Sequence, residues 1–193
     1  MKLYFAAAAI ALVAAAPSYA QSTMSEGRSV QEVCFRAAHA SPNLSERGLR
    51  VAITACNTAL SGDLSQLARA GTLVNRGTLL AANHNDDAAV ADFNAAITRD
   101  PGLAAAYMGR GLAMMRAERY DDARADFTSA IERNHADLHI AYFNRGEAKE
   151  AAGNLVAAYH DYRKAQELAP DFQPASQELA RFSVTERRIA DIR

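Results

Sequence analysis

The sequence lacks the features that mark several classes of protein. Its 193 residues include no tryptophan, only two cysteines and five prolines, and 21 basic residues are balanced by 22 acidic ones. Lysine and arginine form no basic face, so the composition gives no support for nucleic-acid binding. No polybasic run is present either, which argues against attraction to anionic lipid. What remains, with 50% hydrophobic residues, is typical of a helical, globular chain.

The N-terminus has a composition of its own. The single positive charge of Lys2 precedes a charge-free, largely alanine run from Leu3 to Ala16, and after Pro17 the small residues Ser18 and Ala20 take the −3 and −1 places of a cleavage site. This pattern predicts a secretory signal peptide over 1–20, because the run is short for a membrane span, which needs about 20 apolar residues. We therefore expect a periplasmic mature protein without a membrane span. An uncleaved anchor, a buried N-terminal helix and release outside the cell stay open as alternatives.

Three stretches of the chain, LVNRG, YMGRG and YFNRG, share one motif. Their glycines, Gly77, Gly111 and Gly146, are spaced 34 and 35 residues apart. Alanines, an aromatic residue and a terminal proline or histidine follow each glycine at fixed distances: Ala89, Ala123 and Ala158; Phe93, Phe127 and Tyr162; Ala96, Ala130 and Ala165; Pro101, His135 and Pro170. A period near 34 indicates a two-helix unit that stacks on copies of itself. Glycine inside a helix costs about 0.5–1 kcal/mol relative to alanine, so we expect close helix packing to offset this loss.

The pattern resembles the tetratricopeptide repeat (TPR). The resemblance is strongest over 139–172 and nearly as strong over 70–103 and 104–138. In the middle repeat His135 replaces the terminal proline and one extra residue follows, so the turn into the last repeat is expected to differ. The resemblance implies an all-α, right-handed superhelical array (an α-solenoid) of helix-turn-helix repeats.

The flanking segments are interpreted as a partial repeat and a cap. Residues 48–64 carry Cys56 between two alanines at the spacing of the other second helices, and residues 30–40 supply a partner helix. Residues 25–69 are therefore predicted to form a degenerate N-terminal helical hairpin. Residues 173–193 are predicted to form a capping helix with a frayed tail.

The two cysteines are placed symmetrically in this hairpin. Cys34 and Cys56 lie at equal distances from the centre of its loop, and such residues face each other, near the Cα separation of about 5.5–6 Å that a disulfide needs. An exported protein meets an oxidising compartment, so we predict a Cys34–Cys56 disulfide. The alternative is a pair of buried thiols. No histidine stands at ligand spacing beside them, so no metal site is predicted.

Each repeated arginine has an aspartate sixteen residues further along the chain. The pairs are Arg76 and Asp92, Arg110 and Asp126, and Arg145 and Asp161. In a helical hairpin these positions fall on neighbouring helices, which predicts ion pairs that orient the helices. The alternative is that the arginines grip an acidic ligand.

The resemblance to TPR proteins places the first helix of each repeat on a concave face. Asn75 and Asn144 precede two of the arginines, and Gly109 takes this place in the middle repeat. Asparagine offers both donor and acceptor, which suits it to bind extended backbone, unless it instead satisfies neighbouring helices. The predicted peptide-binding groove consists of Val74, Asn75, Thr78, Met108, Leu112, Met115, Phe143, Asn144, Glu147 and Glu150. The Lys/Asn/Arg set by which some TPRs clamp a C-terminal carboxylate is incomplete, so that specificity is not predicted.

No catalytic constellation is recognisable in the sequence. The serines and threonines of the repeats have no acid–base partner forming a triad, and no phosphate-cradling glycine loop is present. His135 and His139 have the spacing of zinc ligands, but they straddle two repeats. We predict a non-catalytic scaffold of the cell envelope that binds a peptide or partner protein, without cofactor or metal. The alternatives are a small metal-dependent hydrolase at 133–139 and a self-associating structural protein.

Overall fold

The structure is a computed structural model that describes residues 29–190, with the side chains of residues 29–182. Nine α-helices and one 3-10 turn make up nearly all of this range, and it contains no strand. The helices are Val30–His39 (α1), Glu46–Ser61 (α2), Gln66–Ala82 (α3), Asp86–Arg99 (α4), Ala104–Arg116 (α5), Tyr120–Glu132 (α6), Leu138–Ala151 (α7), Leu155–Leu168 (α8) and Gln173–Ala190 (α9). The predicted signal peptide, 1–20, lies outside the described residues.

Consecutive helices pair into four hairpins, α1–α2, α3–α4, α5–α6 and α7–α8, and α9 packs on the last of them. The first helices also contact one another, since α1 touches α3, α3 touches α5 and α5 touches α7. The predicted all-α solenoid of helix-turn-helix repeats with a C-terminal cap is therefore confirmed. Within the described range no helix combines the length and the hydrophobicity that crossing a bilayer requires.

Aromatic rings from the second helices fill the space beside the glycines of the first helices. A Cβ atom added to Gly77 would lie 2.8 Å from the ring of Phe93, and one added to Gly146 would lie 2.7 Å from the ring of Tyr162. The Phe93 ring also presses against the next repeat, because a Cβ on Gly109 would approach it to 2.5 Å. Distances below 3 Å leave no room for a side chain, so the repeated glycines are required by packing.

The turn inside each repeat is closed by one residue in the left-handed region, seven positions after the repeated glycine. These residues are His84 (φ 57°), Glu118 (φ 57°) and Gly153 (φ 86°). The following amide then donates back to the end of the first helix, as Asn85 N–H does to the Leu80 carbonyl oxygen at 2.9 Å. These bonds satisfy carbonyl groups that the helix end leaves unpaired, so backbone geometry sets the same turn three times.

The junction between α6 and α7 differs from the other junctions, as expected from the missing proline. Asn134 adopts φ 54°, and His135 N–H donates to the Ala130 carbonyl oxygen at 3.1 Å. The Nδ1 atom of His135 accepts from the Asp137 backbone N–H at 3.1 Å. Helix α6 therefore ends at Glu132 in a left-handed turn at Asn134, whereas Pro101 and Pro170 follow the ends of the second helices in the other repeats.

The N-terminal hairpin is held by the predicted disulfide. Cys34 and Cys56 are bonded with a Cα–Cα distance of 4.9 Å, and both are fully buried in a cluster that includes Leu79 of α3. Helix α3 begins at Gln66 and α9 runs to Ala190, and residues 191–193 of the predicted frayed tail lie outside the described residues.

Candidate peptide-binding groove

The three repeated arginines form structural ion pairs. Each guanidinium donates through Nε and Nη2 to both oxygens of its predicted aspartate, at distances from 2.6 to 2.8 Å. The hydrogen bond to aspartate raises the pKa of each arginine, against the opposing effect of burial. Bidentate pairs fix the relative orientation of two helices, so these arginines are not free to grip an acidic ligand.

Each of these arginines also reaches the preceding repeat, a contact that was not predicted. Its Nη1 atom donates to a polar side chain of the previous second helix: Asn57 at 2.8 Å from Arg76, Asn94 at 2.6 Å from Arg110, and Thr128 at 3.3 Å from Arg145. The signal was present in the sequence, since these acceptors directly follow Cys56, Phe93 and Phe127 in the repeat alignment. The ion pairs therefore couple neighbouring repeats as well as the two helices of one repeat.

Four residues predicted to line the groove are buried in the core. Val74, Met108 and Phe143 are 3%, 1% and 2% exposed, and Met115 is 7% exposed. Phe143, for example, packs its ring 5.4 Å from that of Tyr162. In the unliganded protein these side chains belong to the core clusters between the helices, and their part in peptide binding stays a prediction.

The accessible row of the groove lies one residue after each repeated glycine. Thr78, Leu112 and Glu147 occupy this position on α3, α5 and α7, and all three side chains are partly exposed. The hydroxyl of Thr78 donates to the Val74 carbonyl oxygen at 3.0 Å. The row therefore changes from neutral residues in the first two repeats to a carboxylate in the last.

The two groove asparagines are buried without hydrogen-bond partners. Asn75 is 8% exposed and Asn144 is 4% exposed, and within residues 29–182 neither amide makes a side-chain hydrogen bond to the protein. They therefore do not satisfy neighbouring helices, which was the alternative interpretation. Unpaired amides keep a donor and an acceptor available for an extended backbone. Peptide binding by these side chains stays a prediction.

An acidic cluster occupies the C-terminal end of the predicted groove. It consists of Glu147 and Glu150 of α7 and Glu178 of α9. Glu150 accepts from the Tyr162 hydroxyl at 2.9 Å and pairs with Arg181, which also binds Glu178 at 2.6 Å. Burial, followed by the charges of Glu178 and Glu150, raises the pKa of Glu147 to about 7.

The contribution of α9 to this cluster was missed by the sequence analysis. Glu178 and Arg181 lie in α9, for which the sequence predicted a capping helix and no part in the groove. The one available signal was the spacing, because Glu178 follows Asn144 by 34 residues, the length of one repeat.

Tyr162 belongs to this cluster as a hydrogen-bond donor. Burial, followed by the charge of Glu150, raises the pKa of Tyr162, so its phenol keeps the proton that it donates to Glu150.

The histidines of the α6–α7 turn have separate roles. His135 is 4% exposed, and burial lowers its pKa. The ring of His139 instead packs edge-on against Phe172, 5.0 Å away. Among the described residues no group of three His, Cys, Asp or Glu side chains is arranged to hold a metal ion.

Comparison with known proteins gives a consistent family. The family model for the tetratricopeptide repeat matches residues 74–134 and again 110–171. The solved first TPR of Spaghetti (RPAP3), bound to HSP90 peptide SRMEEVD, is 26% identical, covers 63% of this chain and 95% of that one, and has a TM-score of 0.59. The first TPR domain of human RPAP3 is 25% identical over 64% of this chain and 96% of that one, with a TM-score of 0.58.

A longer stretch of the fold matches the MamA RS-1 ArsTM double mutant. This match has a TM-score of 0.66 over 84% of the present chain and 88% of that one. At 18% identity it supports the fold alone. A search of curated protein sequences found no match.

Proposed function

The chain belongs to the tetratricopeptide repeat family, and on that premise we propose that it is a non-catalytic interaction scaffold. It binds an extended peptide, or an extended segment of a partner protein, along the groove that α3, α5 and α7 line. The structure of the first TPR of Spaghetti with a bound HSP90 peptide supports this use of the fold. The proposal further places the protein in the cell envelope, as the N-terminal sequence pattern suggests and as a disulfide suits.

One observation carries the proposal most directly. Asn75 and Asn144 stand at the same position of two repeats, are nearly buried, and lack protein partners among the described residues. Neither amide is among the fully buried side-chain atoms without a partner in the described residues, which are Nε2 of His135 and Oδ2 of Asp137, so solvent and a peptide can both reach the two amides. A peptide backbone that paired with both amides would bury these hydrogen bonds, and removing one partner of a buried hydrogen bond costs about 1–3 kcal/mol.

The test is peptide selection followed by asparagine replacement. The oxidised protein is used to select binders from a display library of random short peptides, and their affinities are measured by calorimetry. Asn75→Ala and Asn144→Ala should each weaken binding by about 1–3 kcal/mol, or about 5- to 150-fold. Stability should be unchanged or slightly higher, because alanine is the better helix former.

A matched control is Asn43→Ala. Asn43 is exposed in the 3-10 turn Ser41–Asn43 of the N-terminal hairpin, so its replacement should leave affinity unchanged. Peptides that bind normally to both groove variants would lie elsewhere on the molecule and would refute the proposal. A mass that increases with protein concentration, in place of peptide binding, would favour the self-associating alternative.

A further inference from the structure

Glu147 differs from the carboxylates around it because no positively charged side chain of residues 29–182 pairs with it. Tyr162 and Arg181 satisfy Glu150, and Arg181 also satisfies Glu178. Among the described residues Glu147 makes neither an ion pair nor a hydrogen bond. Among the described side chains the cluster thus contains three carboxylates and one guanidinium, a net charge of −2 (3 negative, 1 positive) when all are ionised. An uncompensated, partly buried charge is unfavourable in a folded protein.

A second polar group without a partner stands directly beside this carboxylate. Asn144 lies three residues before Glu147 on α7, so the two side chains are neighbours on the helix surface. Asn144 is 4% exposed, and its amide has no protein partner within the described range. The pair therefore presents carboxylate oxygens and an amide oxygen at one place, next to the buried residue Phe143.

The chemistry of these acceptors selects one class of ligand group. An ammonium or a guanidinium carries several N–H donors and no acceptor, so either one can satisfy both oxygens and neutralise the charge. A carboxylate or phosphate would meet the repulsion of the acidic cluster. A neutral backbone amide would satisfy Asn144 and would leave the charge of Glu147 uncompensated.

We propose that the C-terminal end of the groove is a subsite for a lysine or arginine side chain of the bound peptide. Glu147 supplies the countercharge and Asn144 accepts a further hydrogen bond. This inference rests on the proposed function and adds the partner class: a segment with a basic residue at one fixed place. The neutral Thr78 and Leu112 of the earlier repeats set no charge requirement on the rest of the segment.

The test is a double-mutant cycle on selected peptides. A random peptide library is enriched on the wild-type protein, and the basic residue shared by the enriched peptides is replaced by glutamine. This replacement should weaken peptide binding to the wild type about tenfold or more, as expected for a close charge pair. It should have little effect on peptide binding to the Glu147→Gln variant. Glu132→Gln removes an equal charge from the exposed face of α6 and should behave like the wild type.

Charge reversal adds an independent arm. Glu147→Lys should lose the basic peptides and gain affinity for the same peptides carrying glutamate at that place. Thermal unfolding of each variant establishes that it is folded, so lost binding reflects the groove. Recovery of binding by the reversed pair would assign the peptide contact to Glu147 directly.

The outcomes separate this inference from the function on which it rests. Enriched peptides that share no basic residue would overturn the subsite alone. The same holds if replacing the basic residue with glutamine weakens binding to the Glu147→Gln variant as much as binding to the wild type. An absence of enriched peptides, or peptides whose binding tolerates both Asn75→Ala and Asn144→Ala, would overturn the proposed function and the subsite with it.

Discussion

Replacing Glu147 with glutamine is expected to stabilise the unliganded protein at alkaline pH. The pKa of Glu147 is raised from 4.5 to about 7 by burial and by the charges of Glu178 and Glu150. The folded state therefore holds this proton at pH values where the unfolded chain has lost it. As pH rises from about 4.5 to about 7, the free energy of unfolding falls, and above pH 7 the whole loss is present.

The magnitude follows from the two pKa values. A difference of about 2.5 (7 minus 4.5) corresponds to about 3 kcal/mol, at 1.36 kcal/mol for each pKa unit. This figure is an upper limit, because the side chain is partly exposed and solvent screens the charge. Glutamine resembles the neutral acid in shape and hydrogen bonding, so Glu147→Gln should gain up to about 3 kcal/mol at pH 8 and less than about 0.5 kcal/mol at pH 4.5.

The assay is urea denaturation followed by far-ultraviolet circular dichroism at both pH values. The wild type is compared with Glu147→Gln and with Glu132→Gln, whose exposed carboxylate should make little difference at either pH. Equal or lower stability of Glu147→Gln at pH 8 would refute the reasoning, because it would mean that a protein group already compensates the charge. A stability gain together with weaker peptide binding is the combination expected of a functional carboxylate.

Three further changes test the packing and the cross-links. Gly109→Ala should lower the free energy of unfolding by about 1–3 kcal/mol, since the new Cβ would lie 2.5 Å from the ring of Phe93; an unchanged Tm would contradict this. Thiol titration of the oxidised protein should find no free cysteine, and reduction of the disulfide should destabilise the N-terminal hairpin by about 3 kcal/mol in the chain-entropy model. Reversing Arg110 and Asp126 together should recover part of the stability that each single reversal loses, whereas independent losses would show that the two side chains are not coupled.

The fold was predictable because the residues that determine it occur three times. A glycine on the first helix and an aromatic residue on the second must stay in phase for the helices to approach, as Gly111 and Phe127 do. The arginine on the first helix and the aspartate on the second helix of each repeat must also stay in phase to form their ion pair. Their constant spacing of sixteen residues therefore predicted the ion pairs. Repetition made each of these contacts visible in the sequence.

The accessible surface of the groove was less predictable, because helix rotation decides it. Met108 and Leu112 are four residues apart on the same helix, yet the first is buried and the second is partly exposed. A rotation of a few tens of degrees would exchange their places, and the repeat phase alone does not determine the rotation. The cap posed a second difficulty, because α9 carries none of the repeated motif residues and only the 34-residue spacing of Glu178 from Asn144 relates it to a repeat.

The positions that repeat and the positions that vary therefore have different roles in this chain. Gly77, Gly111 and Gly146 are identical because each must accommodate a ring, and any other residue would separate the helices. The next residue on each helix, Thr78, Leu112 or Glu147, does not meet this constraint and is free to differ. The largest difference is the carboxylate, whose charge is compensated by no described side chain and which is therefore expected to reduce the stability of the unliganded fold. A residue that weakens the free protein at an accessible, variable position of the groove is the one we expect to distinguish one peptide from another.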